Sequence, residues 1–465
     1  MLFSSPPFFL FFAVYFLLHL ALPVRYRLAL IITGSAIFYG YWNPWYLWIP
    51  FAFIVMAFYG AIWVMDAPEG APRKRRLAAT VAMLLVPLAT IKYTAFAYND
   101  VAGPLLSLGD RIEPWALPLG ISFVTFTTIA YVVDVYRGTY RLERSMPMLA
   151  GLVLFFPHLI AGPILRPAEL LPQLHHPKPR DWSHAGLGVA IFTLGLVKKL
   201  VFADSFAEAV ERVFAAGAGA GLTCADYLLA IYGFALQIYC DFSGYTDMAL
   251  GAALLLGVKL PSNFQRPYAA TSIVEFWKRW HITLSRWLRD YLYIPLGGSR
   301  LGFARRSFNL LVTMALGGLW HGANWTFVLW GVAHGVGLAF VHTVRRFVPA
   351  ATRVPRWLAI LVTFHFVAAL WILFRAPDVA TALRVAQGPF VAPVAEWSAF
   401  AAQNAFTLGL LAVFVVLHRW DDHQSVEALA KRLPMPVLAP LLALGWVLAI
   451  AVSHGSSAKF IYFDF

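Results

Sequence analysis

Residues 44–65 of the chain are PWYLWIPFAFIVMAFYGAIWVM, a run without a single charged side chain. A helix needs about 20 apolar residues to cross the hydrocarbon core of a bilayer, so this run predicts a membrane-spanning helix. The whole 465-residue chain has the same character, because 60% of its residues are hydrophobic and only 13% are charged. Soluble domains carry about 25% charged residues, so the composition excludes a soluble, disordered or coiled-coil protein.

Many other segments are long and apolar enough to cross a bilayer. The segment 309–346 is too long for one crossing, and its glycines near residues 317–322 predict two helices. The segment 146–165 contains Pro157 and Pro163, which predict a broken or re-entrant helix. The remaining predicted spans cover residues 7–24, 28–42, 77–97, 115–136, 184–203, 226–256, 356–375, 403–418 and 436–453.

These segments predict an all-α, polytopic membrane protein with about ten to twelve transmembrane helices. We expect residues 1–465 to form one integral membrane domain, with no soluble domain attached. The first 24 residues lack a basic start and a small-residue cleavage site, so we expect a retained helix rather than a removed signal peptide. Two cysteines, Cys224 and Cys240, are too few for a disulfide framework or a thiolate metal site.

The distribution of charge predicts how the chain is oriented in the membrane. Lys and Arg outnumber Asp and Glu by 36 to 23, an excess that in a membrane protein is typical of basic cytoplasmic loops rather than of nucleic-acid binding. Basic residues follow the first, third and fifth predicted helices, whereas residues 42–45, between the second and third, are uncharged. Because loops alternate between the two sides, the N-terminus is predicted to be extracytoplasmic.

The segment 257–308 is basic and aromatic, and it is too polar to cross the membrane. On a helical wheel, residues 275–291 separate into a charged face and an apolar face, which predicts one amphipathic helix at the cytoplasmic interface. His281 lies at the edge of the apolar face. Such a helix is commonly a membrane anchor; alternatively, Arg279, Arg286 and Arg289 bind an anionic substrate such as a nucleotide or phosphopantetheine cofactor. The apolar face consists of Trp277, Trp280, Leu284, Trp287, Leu288 and Tyr291.

His321 lies inside an apolar segment, where an ionisable side chain is costly and is commonly functional. Neighbouring glycines permit close approach of a backbone or a ligand, and Asn324 could orient the imidazole. The structural alternative is a histidine that binds a backbone carbonyl between two helices. For His334, His342 and His365, which also lie in apolar runs, packing is the favoured interpretation.

Two carboxylates, Asp241 and Asp247, end another apolar segment. We interpret them mainly as partners in structural ion pairs with arginines of the following basic region; lining a polar entrance is the alternative. The sequence has no His-Glu-x-x-His spacing and no cluster of cysteine and histidine, so a metal site has little support. Gly-x-Ser-x-Gly and P-loop patterns are also absent, which disfavours serine hydrolases and ATPases.

Several motifs together resemble the membrane-bound O-acyltransferase family. The two central motifs are FWKRWHITLSRWLRDYLYIPLGG at residues 276–298 and GLWHGANW at residues 318–325. Within that family the chain is most similar to the alginate O-acetyltransferase membrane subunit and to relatives that acetylate other exopolysaccharides or peptidoglycan. The same branch shares DFSGYTD at 241–247, FFPHLIAGP at 155–163, PLGISF at 118–123, FSSP at 3–6 and FIYF at 460–463.

The resemblance implies a histidine-dependent acetyltransferase in the bacterial inner membrane. By similarity, His321 is the catalytic residue, His281 is a second family histidine on the cytoplasmic side, and Arg279, Arg286 and Arg289 are candidates for binding the phosphates of the donor acetyl-CoA. No permanently bound cofactor is expected. An extracytoplasmic acetyltransferase partner and a polysaccharide acceptor are implied. The alternatives are D-alanyl or other acyl transfer to a cell-wall polymer or, in a different class, a transporter or flippase.

Overall fold

The computed structural model describes residues 1–107, 109–177, 185–215, 219, 221–348, 354–453 and 458–463. All regular structure in these ranges is helical, which confirms the predicted all-α class. In chain order the first helices are α1 (Pro6–Ala21), α2 (Arg27–Gly40), α3 (Trp48–Met65), α4 (Ala71–Phe96), α5 (Gly103–Leu106), α6 (Ile121–Tyr136), α7 (Met146–Leu154), α8 (Phe156–Leu159), α9 (Pro167–His175), α10 (Ala185–Val197), α11 (Asp204–Phe214) and α12 (Cys224–Leu255).

The second half of the chain is helical as well. Its helices are α13 (Ile273–Arg279), α14 (Ile282–Leu288), α15 (Phe303–His321), α16 (Trp325–Phe347), α17 (Arg356–Arg375), α18 (Val379–Val391), α19 (Trp397–Gln403), α20 (Ala405–Leu417), α21 (His423–Arg432) and α22 (Met435–Ser453). The chain divides into two compact units, of which unit 1 comprises Met1–Phe192 and Ala249–Pro261. Unit 2 comprises Thr193–Met248 and the chain from Ser262 onward, and it contains both candidate histidines. The single domain expected from the sequence stays a prediction.

Six helical stretches in the described part of the chain are long and apolar enough to cross a membrane, and a seventh is counted if α19 and α20, bent by 81°, form one broken span. The sequence-based prediction of ten to twelve crossings is higher than this number. The difference arises partly because α1 and α6, with 16 residues each, are shorter than a full crossing. The six stretches are Pro44–Met65, Ala71–Leu106, Ala185–Phe214, Trp325–Phe347, Arg356–Arg375 and Met435–Ser453.

The predicted break within residues 146–165 is confirmed. Helix α7 ends at Leu154 and α8 begins at Phe156. Breaking a helix leaves a backbone N–H without its intrahelical acceptor, and here the N–H of Phe156 donates to the hydroxyl of Ser35 at 3.0 Å. The ring of His158 is hydrogen-bonded through Nε2 to the carbonyl of Leu152 at 2.7 Å. Side chains of the protein therefore bind the N–H of Phe156 and the carbonyl of Leu152 beside the break.

The predicted division of residues 309–346 is also confirmed, with α15 ending at His321 and α16 beginning at Trp325. A Cβ atom added at Gly318 would clash with the carbonyl oxygen of Phe327, so the two helix backbones are in contact. Asn324 accepts from the N–H of Thr326 at 3.0 Å and donates to the carbonyl of Pro377 at 2.8 Å. Asn324 thus begins α16 rather than orienting the imidazole of His321, which differs from the role considered for it.

The single amphipathic helix predicted for residues 275–291 is wrong. Helix α13 ends at Arg279, α14 begins at Ile282, and His281 between them has a φ of 41° in the left-handed region. The chain breaks because the N–H of Ile282 donates to the carbonyl of Asn263 at 2.9 Å instead of to an intrahelical carbonyl. The predicted apolar and charged faces of residues 275–291 nevertheless differ in burial. The residues of the predicted apolar face are buried except Tyr291, whereas Lys278 and Arg289 are exposed.

Candidate active site

Asn263 positions the first candidate histidine. The side-chain oxygen of Asn263 accepts from the N–H of Thr283 at 3.1 Å and from the hydroxyl of Thr283 at 2.9 Å. The same oxygen lies 3.1 Å from Nδ1 of His281, whose side chain is fully buried. Because a backbone N–H can only donate, this Asn263 atom is the carbonyl oxygen and Nδ1 of His281 must carry the proton.

With the proton on Nδ1, Nε2 of His281 carries a lone pair and is a hydrogen-bond acceptor. Among the described residues, none is hydrogen-bonded to Nε2. Burial lowers the pKa of His281 to about 3, so the ring is neutral at ordinary pH. A neutral, oriented imidazole with an open acceptor nitrogen can accept a hydrogen bond from a substrate hydroxyl or thiol.

The second candidate, His321, is the last residue of α15 and is only 4% exposed. Aromatic rings surround its imidazole. Ring centroids lie 4.8 Å away for Trp320, 5.2 Å for Trp330, 5.1 Å for Phe374 and 5.6 Å for Tyr462. Such walls exclude bulk water, which strengthens electrostatic interactions with any polar group that enters.

The two histidines share aromatic neighbours. The ring of Trp320 lies 6.2 Å from that of His281 and 4.8 Å from that of His321. Phe242 lies 4.7 Å from His281 and 4.2 Å from Tyr462, which in turn contacts His321. The structure therefore brings the two predicted histidines into one aromatic cluster, although they are 40 positions apart in the sequence.

Tyr462 belongs to the segment of residues 458–463, which is hydrogen-bonded to residues near the start of α11 and within α12 of the same unit. The N–H of Ile461 donates to a carboxylate oxygen of Asp241 at 2.8 Å. The N–H of Ala458 donates to Asp204 at 3.2 Å, and its carbonyl accepts from Lys199 at 2.9 Å. Burial, and then the charge of Asp241, raises the pKa of the Tyr462 hydroxyl well above its usual value, so that hydroxyl stays protonated.

Lysines, rather than the arginines expected from the sequence, neutralise Asp241 and Asp247. Lys199 forms ion pairs with Asp204 and Asp241, both at 2.8 Å. Lys198 pairs with Asp247 at 2.8 Å and with Asp421 at 2.5 Å. Lysines reach these carboxylates because a π-helical turn at Lys198–Ala203 follows α10 and places Lys198 and Lys199 beside the buried carboxylates of α12.

The three arginines predicted to bind an anionic donor lie outside the aromatic cluster of the histidines. Arg279, at the end of α13, pairs with Glu275 at 2.6 Å. Hydrogen bonds from Thr271 and the charge and hydrogen bond of Arg279 outweigh burial and lower the pKa of Glu275 to about 2. Arg289 is exposed and pairs with Asp290 at 2.7 Å, and Arg286, in α14, is half-buried. The break at His281 separates Arg279 from the other two.

The remaining apolar-run histidines have local partners. The indole N–H of Trp277 donates to Nδ1 of buried His334 at 3.3 Å. His365 is exposed, and its Nδ1 is hydrogen-bonded to the carbonyl of Leu361 at 2.8 Å. A guanidinium nitrogen of Arg306 lies 2.8 Å from Nδ1 of His342. In the described ranges, no three side chains of His, Cys, Asp or Glu are arranged to hold a metal ion.

Sequence reasoning missed Asn263, Tyr462 and the two lysines. Asn263 had no signal beyond its place in the 257–308 segment, because its contact with His281 spans 18 positions. The lysines did carry a signal, since Lys198 and Lys199 interrupt an otherwise apolar segment. The FIYF motif at residues 460–463 contributes to the family resemblance, but the sequence alone gives Tyr462 no role.

Comparison with known proteins identifies close relatives over most of the chain. The model of the membrane-bound O-acyltransferase family, MBOAT, matches residues 145–376. A probable alginate O-acetylase AlgI of Azotobacter vinelandii is 39% identical over 83% of this chain and 77% of its own length. A peptidoglycan O-acetyltransferase of Helicobacter pylori is 35% identical over 77% of this chain and 72% of its own. A teichoic acid D-alanyltransferase of Bacillus subtilis is 27% identical over 54% of this chain and 66% of its own.

Proposed function

Since the chain belongs to the membrane-bound O-acyltransferase family, we propose that it moves acetyl groups from cytoplasmic acetyl-CoA across the membrane for O-acetylation of an extracytoplasmic polysaccharide. Relatives named as alginate O-acetylase and peptidoglycan O-acetyltransferase support acetyl transfer. The observation that carries the proposal is the aromatic cluster that contains His281 and His321. Its buried imidazoles can bind a reacting hydroxyl or thiol away from bulk water.

In the proposed reaction, His321 is the general base and His281 assists it. His321 takes the proton of an attacking hydroxyl, on the acceptor or on a carrier, as the oxygen bonds to the thioester carbonyl carbon. The carbon–sulfur bond then breaks, and the proton passes from the imidazolium to the CoA sulfur. In an alternative route with the same overall reaction, a histidine nitrogen attacks the thioester, and CoA leaves as an acetyl-histidine forms. The hydroxyl then attacks the acetyl-histidine and releases the histidine. Nε2 of His281 accepts the hydrogen bond of the reacting group.

Orientation of His281 by Asn263 leads to a testable prediction. In Asn263→Ala the ring loses the acceptor that holds Nδ1–H, and we expect acetyl transfer to fall about 100-fold, the usual cost of a misplaced catalytic group. Asn263→Asp keeps an oxygen acceptor and should recover part of the activity. The assay is CoA release by purified protein of matched thermal stability, with Asn43→Ala as control because Asn43 caps a short helix elsewhere. Equal activity of Asn263→Ala and wild type would contradict this role.

We place donor binding on the cytoplasmic side, with Arg279, Arg286 and Arg289 as candidates for holding the phosphates of acetyl-CoA. The positive-inside distribution of basic loops supports this side, and guanidinium groups bind phosphate through paired N–H donors. No resident cofactor is proposed, since acetyl-CoA is consumed as a substrate.

Charge reversal tests the donor site. In Arg286→Glu and Arg289→Glu we expect the KM for acetyl-CoA to rise at least tenfold with a smaller change in kcat, because ground-state binding of phosphates is lost. Arg305→Glu is the matched control, since Arg305 is exposed in the same basic segment but lies outside both short helices. An unchanged donor KM would leave these arginines as a lipid anchor.

The chain is proposed to act with an extracytoplasmic acetyltransferase partner, in a bacterial inner membrane with its own N-terminus extracytoplasmic. Polymer recognition requires an extended polar groove, and the predicted outward connections, such as residues 98–114, are short.

The test of this partner is reconstitution in vesicles, with acetyl-CoA on one side and polysaccharide on the other. We expect CoA release without efficient acetylation of polysaccharide until the partner is added. Efficient acetylation by the chain alone would reject the partner, and absence of CoA release with the partner present would favour a transporter.

A further inference from the structure

Unit 2 contains a cavity whose lining includes neither His281 nor His321. It lies between α16 and α17 and has a volume of about 710 Å³. Pockets of about 300–1,000 Å³ commonly hold small ligands. Most of the residues that line it are apolar, and they include Val341, Val344, Val362 and Phe366. Two of its lining residues, Phe340 and Val362, are exposed, and both belong to helices that are long and apolar enough to cross a membrane.

One end of the cavity is positively charged. Arg345, near the end of α16, and Arg356, at the start of α17, line it together with Thr271 and Ser272. A guanidinium nitrogen of Arg345 donates to the hydroxyl of Ser272 at 3.3 Å. Of the described residues that line the cavity, none is acidic. The hydroxyl of Thr271 donates to Glu275 at 2.6 Å, so the groups available to a ligand here are the two arginines and the Ser272 hydroxyl. Two cations and a hydroxyl beside an apolar groove complement an amphiphile with an anionic head.

We propose that this groove binds an anionic phospholipid, with the phosphate at Arg345 and Arg356 and an acyl chain along the apolar walls. Basic pockets between transmembrane helices attract anionic headgroups, and the arginines lie at helix ends where a headgroup layer is expected. A free phosphate would contact the arginines but would leave the apolar walls uncovered, so the proposal commits to the lipid. It does not depend on acyl transfer, because neither His281 nor His321 lines the groove.

The test is native mass spectrometry of the purified chain titrated with phosphatidylglycerol and, separately, with phosphatidylcholine. We expect tighter binding of phosphatidylglycerol. The double variant Arg345→Gln with Arg356→Gln should weaken phosphatidylglycerol binding by roughly 25-fold, about fivefold for each arginine, and leave phosphatidylcholine unchanged. The matched control is Lys74→Gln with Arg75→Gln, which removes the same charge from exposed positions outside the groove.

A second variant tests the apolar part of the site. Val344→Trp fills the groove and keeps both arginines, so it should weaken binding of phosphatidylglycerol. In a separate competition experiment on the wild-type protein, we expect millimolar glycerol phosphate to leave the bound lipid in place. Equal affinity for the two lipids, less than a twofold loss in the double arginine variant, or displacement by glycerol phosphate would each overturn the proposal. The last result would identify a site for soluble phosphates instead.

Discussion

Replacing His321 by alanine is expected to abolish acetyl transfer while the protein still inserts into the membrane at wild-type levels. General-base catalysis contributes about 10²- to 10⁴-fold to rate, so the loss should be at least 100-fold in kcat. The imidazole is enclosed by Trp320, Trp330, Phe374 and Tyr462, and the substitution removes a polar group from these apolar surroundings. The measurement is CoA release by detergent-purified protein, normalised to folded protein.

Two further variants separate the loss of chemistry from a loss of packing. His321→Phe keeps a ring in the aromatic cluster but has no nitrogen, so it should be as inactive as His321→Ala. His365→Ala is the matched control, because His365 is exposed on α17 and its removal should leave activity unchanged. Retention of substantial activity by His321→Ala or His321→Phe would remove His321 from the catalytic role.

The second large effect is expected for Lys199→Met. Lys199 is the cation of a buried cluster with Asp204 and Asp241, and it also donates to the carbonyl of Ala458. Removing one partner of a buried ion pair leaves an uncompensated charge and costs about 3–5 kcal/mol. We expect a fall of that size in the free energy of unfolding in mixed micelles. Activity should fall as well, because the segment that carries Tyr462 loses an attachment.

The control for this prediction is a lysine in an exposed ion pair. Lys431 pairs with Glu427 at 2.6 Å on the surface of α21, and Lys431→Met should change stability by less than about 1 kcal/mol. Adding Asp204→Asn and Asp241→Asn to Lys199→Met should restore part of the lost stability, since no uncompensated charge remains and an amide oxygen still accepts from Ile461. Equal stability of Lys199→Met and Lys431→Met would contradict the importance of the buried cluster.

The helical fold was predictable because its signals are local. The uncharged run at 44–65 indicates a spanning helix from composition alone, and the structure forms α3 there. Pro157 and the glycines near residues 317–322 marked two interruptions, which the structure confirms. His321 could also be identified from its neighbours in the sequence, because an imidazole within an apolar run is costly whatever the tertiary structure.

The sequence by itself thus determined an all-helical membrane protein, two of its helix breaks and the choice of His281 and His321 as candidate residues. The tertiary structure brought these two histidines into one aromatic cluster. The tertiary structure decided the conformation of His281, where a partner 18 positions away overrides the helical period that continues through residues 275–291. It also decided that Lys199 neutralises Asp241 and that Tyr462 contacts His321. Hydropathy and periodicity report only on neighbours along the chain, whereas hydrogen bonds and buried ion pairs are selected by which side chains packing brings together.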